Sequence, residues 1–195
     1  MSLFTESIEI VAAALESNSK KFEELDSVAG DGDLGITAGN IAKGLRVGAS
    51  SATGDLKADL MLIGREIAKN APSTFGTLFA TGFIRASAAV TDTDAFVNVQ
   101  LGVAAAFEGI AARGKAVLGE RTLLDALYPA AEALKNAIDL ESGLNAAASA
   151  ARAGASATAS MAPKHGRAGW IGERARGHED AGANVVAVVF EALKS

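Results

Sequence analysis

The sequence predicts an all-α fold, and three observations point to it. The composition favours helix formers such as Ala, Leu, Glu and Lys, with 3 prolines in 195 residues. Apolar residues recur at three- and four-residue intervals rather than in alternation. Runs of β-branched residues are short. Eight helical segments follow, at roughly 3–23, 34–51, 56–70, 73–90, 92–113, 121–137, 141–161 and 181–194. In the first, Leu3, Ile8, Ile10, Val11, Ala14 and Leu15 share a face. Thr91-Asp92-Thr93-Asp94 supplies cap residues for the fifth. Leu123, Leu124, Leu127, Ala130, Ala131 and Leu134 repeat the pattern in the sixth. VVAVVF at 185–190 reads either as a strand or as the end of a buried helix.

No linker or solenoid-period repeat divides the chain, so a single domain over 1–195 is expected. A net charge of −5 argues against binding to nucleic acid or to an anionic membrane. The absence of cysteine excludes disulfides, thiolate zinc sites and a cysteine nucleophile. MSLFTESIEI lacks the features of a secretory signal, and no apolar run reaches the roughly 18 residues of a membrane span. A cytoplasmic location is the expectation.

Four glycine- or proline-bearing junctions separate the helices, at 26–35, 70–76, 114–122 and 163–182. The first sits in ELDSVAGDGDLG (24–35), where Asp26, Asp31 and Asp33 lie among three glycines. Carboxylates without His or Cys suit a hard divalent cation such as Mg²⁺. The loop is not an EF-hand, because the twelfth position from Asp26 is Thr37 and from Asp31 is Ala42. Gly30-x-Gly32-x-x-Gly35 matches a dinucleotide fingerprint in letters only, since no strand precedes it. Turn and N-cap roles for the same residues stay open at this point. In the second junction, Ser73 and Thr74 open a helix, where they serve either as caps or as phosphate contacts. In the third, GIAARGKA (109–116) fails as a P-loop, having Ala116 where Ser or Thr is required. Gly114 there reads as a helix end. The fourth, PKHGRAGWIGERARGHEDAG, offers Lys164, Arg167, Arg174 and Arg176 as cations for phosphates, Trp170 as an anchor and His178 as a proton carrier.

Four blocks, LDSVAGDGDLGIT (25–37), NAPSTFGTL (70–78), RGKAVLGERTLLDAL (113–127) and GRAGWIGERARGHEDAGA (166–183), resemble the DhaL (Dak2) family. That family comprises the nucleotide-binding subunits or domains of dihydroxyacetone kinases. The resemblance implies an eight-helix up-and-down closed barrel with nucleotide and Mg²⁺ at one end. Asp26, Asp31 and Asp33 would then ligate two Mg²⁺ ions that bridge the phosphates of ATP or ADP. Gly35, Ile36 and Thr37 would lie against those phosphates, with Ala71, Ser73 and Thr74 adding contacts. Gly114 and Leu123 would border the adenine. Arg167 would reach the phosphates, and Asp180 with Ala181 would close the site. Catalysis would rest on the three aspartates and Arg167. A separate DhaK-like subunit would hold a short ketose.

Leu34 and Thr37 depart from the GDxDHG-x-Asn pattern of phosphotransferase-linked members, and NAPST replaces the usual Gly-x-Ser-Gly. By this likeness the chain leans toward ATP as donor. The alternative is permanently bound ADP recharged by a DhaM-like phosphocarrier. A non-catalytic nucleotide-binding module and a metal-dependent phosphohydrolase stand as readings from other classes. Erythrulose or another short ketose is a possible acceptor within the family reading.

Overall fold

A computed structural model of the chain describes residues 2–91, 94–165 and 176–194. Among them are nine α-helices and no strand. They are α1 (Leu3–Ser17), α2 (Ser19–Ala29), α3 (Leu34–Ser50), α4 (Leu56–Asn70), α5 (Thr74–Ala89), α6 (Ala95–Gly114), α7 (Leu124–Lys135), α8 (Leu140–Ala157) and α9 (Ala181–Leu193). A 3₁₀ turn, Thr158–Ser160, extends α8.

Three expected boundaries are corrected, each for a local reason. The segment 3–23 is two helices, because Asn18 turns its Nδ2 back to the Ala14 carbonyl at 2.9 Å and ends α1. Its second part, α2, runs on to Ala29, so Asp26 stands on a helix and not in a loop. The segment 121–137 begins only at Leu124. Asp125 draws the amides of Gly119 and Thr122 to its carboxylate at 2.6 and 2.8 Å, which holds the preceding residues in a loop. Of the four residues expected to cap α6, Asp94 does so, accepting from the Phe96 and Val97 amides. Asp92 and Thr93 lie outside the described residues.

VVAVVF is helical. The reason it showed no clear period is that α9 is buried on two sides. Val185 and Val188 join a core built from α1, α2, α3 and α4. Ala183, Val186, Ala187 and Phe190 join a second core with α7 and α8. The other helices pack in chain order, α1 on α3, then α4, α5, α6, α7 and α8, and α9 touches both α8 and α1. α6 is long and apolar enough, by length and composition, to cross a membrane, contrary to the reading of the sequence. In the fold it packs on α5 and α7, burying Asn98, Gly102, Gly109 and Ile110.

Small residues set the closest approach in the second core. Gly143, Ala147, Ala148, Ala151 and Ala155 form the buried face of α8. A Cβ on Gly154 would lie 3.0 Å from the Ala126 Cα and from the Pro129 ring, and closer still to the Asp125 carbonyl. The alternation places the starts of α3, α5, α7 and α9, and the ends of α2, α4, α6 and α8, at one pole. Contacts between Leu34 and Asp26, Thr37 and Ser73, and Asp180 and Thr158 join them there.

The burial pattern gives a direct expectation. Leu134 is fully buried, whereas Ile138 is 89% exposed. Leu134→Ala is expected to cost about 2–5 kcal/mol in chemical denaturation, and Ile138→Ala less than about 0.5 kcal/mol.

Candidate functional site

Three carboxylates meet at the pole where the helix ends gather. Asp26 projects from the last turn of α2, while Asp31 and Asp33 come from the short link to α3. One oxygen from each lies within 4.8 Å of the others. Local backbone makes the approach possible. Gly32 takes φ 74°, a conformation that suits glycine, and a Cβ on Gly30 would collide with the Asp26 carboxylate. The Leu34 amide donates to Asp26 Oδ2 at 3.3 Å, so the first turn of α3 holds the half-buried member in place. Burial pushes the Asp26 carboxyl above its usual pKa, and the charges of Asp31 and Asp33 push it further. Like charges gathered in this way, with no His or Cys beside them, fit a hard divalent cation.

The start of α3 leads from the carboxylates to the start of α5. Gly35 and Thr37 are buried, and Ile36 faces solvent with 71% of its surface exposed. The Thr37 hydroxyl donates to Ser73 Oγ at 3.4 Å, and Ser73 Oγ also accepts from the Gly76 amide at 3.0 Å. Ser73 is therefore an N-cap, as one of the two sequence readings had it, and it also faces Thr37. Ala71 is buried, and both its backbone groups are taken, by Ile67 and by Ser73. It contributes shape to the turn.

Ser73 and Thr74 continue into a cavity of about 590 Å³. Thr77, Leu78, Ile110, Arg113, Gly114 and Thr122 to Leu124 line it, together with His165. Gly114 and Leu123, expected at a base, thus line one cavity. The aspartates, Gly35 to Thr37, Asp180 and Ala181 do not line it; they lie beside it at the same pole.

Asp180 caps α9, accepting from the Ala183 amide at 2.7 Å, and its own amide donates to the buried Thr158 hydroxyl at 2.7 Å. Next to it, Glu179 accepts from the Ser156 hydroxyl at 2.8 Å and from Asn184 Nδ2 at 2.9 Å. Burial raises the Asp180 carboxyl to about 6, with Arg121 opposing the rise and Asp125 and Asp26 adding to it. Asp180 and Asp26 therefore share one electrostatic environment.

Sequence reasoning missed a set of residues in the α6–α7 loop. Glu120 accepts from the Val117 amide at 2.9 Å, from His165 Nε2 at 2.5 Å and from Lys164 Nζ at 3.3 Å. These donors, the Val117 amide first, hold its pKa down at about 2. Arg121 is buried and bonds the His178 carbonyl. Nothing in the sequence pairs these positions, which lie 45 and 57 residues apart. Lys115, by contrast, is an exposed residue closing α6 in the left-handed conformation. His178 is exposed, and Arg167, Trp170 and Arg174 lie outside the described residues.

Comparison with known proteins gives a consistent picture. A family model described as the DAK2 domain matches residues 28–195. The chain is 33% identical over 187 residues to the ADP-binding subunit DhaL of PEP-dependent dihydroxyacetone kinase 1 of Listeria innocua, covering 92% of this chain and 88% of that subunit. It is also 33% identical over 184 residues to L-erythrulose 1-kinase of Mycolicibacterium smegmatis, covering 90% of this chain but 32% of that enzyme. The chain thus spans about a third of the one relative and most of the other. The crystal structure of the dihydroxyacetone kinase from C. freundii in complex with AMP-PNP and Mg²⁺ superposes with a TM-score of 0.78 at 27% identity, over 97% of this chain and 33% of that one.

The raised Asp180 carboxyl gives a signed expectation. With its folded pKa near 6 and its ordinary value at 3.8, the ionised form is disfavoured by folding. The contribution of this group to stability should therefore rise as pH falls through 6 toward 4. Asp180→Asn keeps the cap and should stabilise the metal-free chain by about 1–2 kcal/mol at pH 7.5, a gain that fades toward pH 4. Urea titrations at the two pH values measure this.

Proposed function

The chain belongs to the DAK2-domain family, and from that premise we propose that it is the nucleotide-binding, phosphoryl-transferring subunit of a dihydroxyacetone-kinase-type enzyme. The observation that carries this reading is the convergence of three carboxylates beside a base-sized cavity, with four helix N-termini at the same pole. Helix N-termini carry partial positive charge and free amides, which favour phosphate.

In this reading Asp26, Asp31 and Asp33 hold two Mg²⁺ ions. The metal, when bound, neutralises the phosphate charge of the nucleotide. The chain's own groups do the rest. The amides of Gly35 and Ile36 at the start of α3 and of Thr74 at the start of α5 orient the phosphates, while Thr37 and Ser73, whose amides are held by the Asp33 and Ala71 carbonyls, offer their hydroxyls beside them. Thr37 and Ser73, in mutual contact, fix the two helix starts relative to one another. Leu123 and Gly114, both lining the cavity, border the base, and Asp180 with Ala181 closes the site beside it. Arg167 is assigned to the phosphates through the family pattern alone. Phosphoryl transfer needs charge compensation and in-line placement more than covalent chemistry. The acceptor is a short ketose held by a DhaK-like partner, and we place the assembly in the cytoplasm.

We assign ATP as donor. Leu34 is buried against the core and presents no polar side chain to a phosphate. A second reading has support from the Listeria relative, which is an ADP-binding subunit of a PEP-dependent kinase. In it, ADP stays bound and a DhaM-like phosphocarrier recharges it. The two part in a simple assay. Purified chain mixed with a DhaK-like subunit, dihydroxyacetone and ATP should form dihydroxyacetone phosphate with repeated turnover. Product limited to one equivalent, with ADP that survives dialysis, would favour the relay. Phosphate released from ATP without any acceptor would point to a hydrolase instead.

The metal site has its own test. Asp31→Ala and Asp33→Ala should each weaken Mg²⁺-dependent ADP binding by at least ~10–100-fold, with helical circular dichroism unchanged. Unaltered affinity in both variants would remove the metal assignment.

A further inference from the structure

Arg121 stands out among the charged residues of the fold. It lies in the loop between α6 and α7, and only 4% of its surface is exposed. Its backbone takes φ 58°, a conformation uncommon for a residue with a side chain. Nη2 donates to the His178 carbonyl at 2.9 Å. Nε and Nη1 are buried and have no acceptor among the described residues. An arginine placed for stability alone would have its planar fork of donors filled, because buried unpaired donors are destabilising. Unfilled donors and an unusual backbone in one residue are features that gather at functional sites.

The surroundings show what the residue joins. Thr122 and Leu123, its immediate successors, line the cavity. His178 lies two positions before Asp180, the cap of α9. Asp180 is the anion whose charge Arg121 feels, although the two are not hydrogen-bonded. Oδ1 of Asp180 is occupied by the Ala183 amide, and Oδ2 receives no donor among the described residues. Among the described residues, two open donors therefore sit on the base-side loop and one open acceptor of opposite charge sits at the start of α9, two residues from the carbonyl that Arg121 holds.

We propose that Arg121 is a positioning residue of the nucleotide site, tying the base-side loop to α9 and engaging Asp180 through its spare donors when an adenine nucleotide is bound. The inference rests on the nucleotide reading above and goes beyond it. A ligand that touches both Leu123 and Ala181 draws together the two walls that Arg121 links. Among the described residues, the link without ligand is the one bond to His178; with ligand it is closed by a charge-assisted pair. The residue acts on the ligand through Asp180 and the loop, and needs no contact with the phosphates.

Calorimetric titration of the full chain with ADP·Mg²⁺ and, separately, with adenosine tests this. Arg121→Met is expected to weaken both ligands at least tenfold, because both depend on the joined walls. Arg121→Lys should recover part of the loss. Combining Arg121→Met with Asp180→Asn should be no worse than Arg121→Met alone. Should Arg121→Met fail to fold, the unaltered chain still decides the matter by nitrogen-15 NMR of its arginine side chains. Exchange of the Arg121 Nε–H with water should slow on adding ADP·Mg²⁺. Wild-type affinity in Arg121→Met, a loss confined to ADP with adenosine intact, full additivity in the double variant or an unchanged Nε–H exchange would each overturn the proposal. A wild-type chain that ignores ADP altogether would fail the nucleotide reading itself, and the clamp with it.

Discussion

Three carboxylates held within 4.8 Å of one another repel, and the fold has to enforce their meeting. The end of α2, the link after it and the start of α3 share the enforcement. The last turn of α2 aims Asp26, the Leu34 amide pins it, and the absent side chains of Gly30 and Gly32 let the link turn back on itself. Burial of Leu34 then ties the start of α3 to the first core. A cluster that opposes folding in the absence of a cation is a reason to expect one, and it makes the cation a stabiliser of the folded chain by mass action.

The same pole shows how stability and function are divided. α9 lies between two cores and carries eight buried residues, so its first turn is a fixed point. Thr158, Ser156, Asn184 and Arg121 add bonds to the residues just before it. Asp180 is thereby held in a setting that disfavours its charge, near Asp26 and Asp125. Rigid helices supply the frame, and the unfavourable electrostatics gather at the helix ends and the loops between them.

Much of the fold was legible because helical spacing repeats along most segments and because Asp, Ser and Gly mark helix ends. Asp94 and Ser73 cap α6 and α5 as their residue types suggest. VVAVVF stayed ambiguous because burial on both faces erases periodicity. Asp26 read as a loop residue because glycines follow it closely, yet the helix persists to Ala29. The aspartate cluster and the cavity residues Ser73, Thr74, Gly114 and Leu123 were found from local composition and family blocks. Glu120, Arg121, Asp125 and His165 were not, since partners distant in sequence leave no local signature.

Manganese broadening in a nitrogen-15-labelled chain tests the central claim most directly, because it locates the metal and the nucleotide pole together. With Mn²⁺ and ADP added, amide signals of Gly30 to Thr37, of Ser73 and Thr74 and of Ala181 should disappear first. Those of Ala137 to Gly143, at the opposite pole, should persist. Broadening centred away from Asp26, Asp31 and Asp33, or none at stoichiometric metal, would contradict the account.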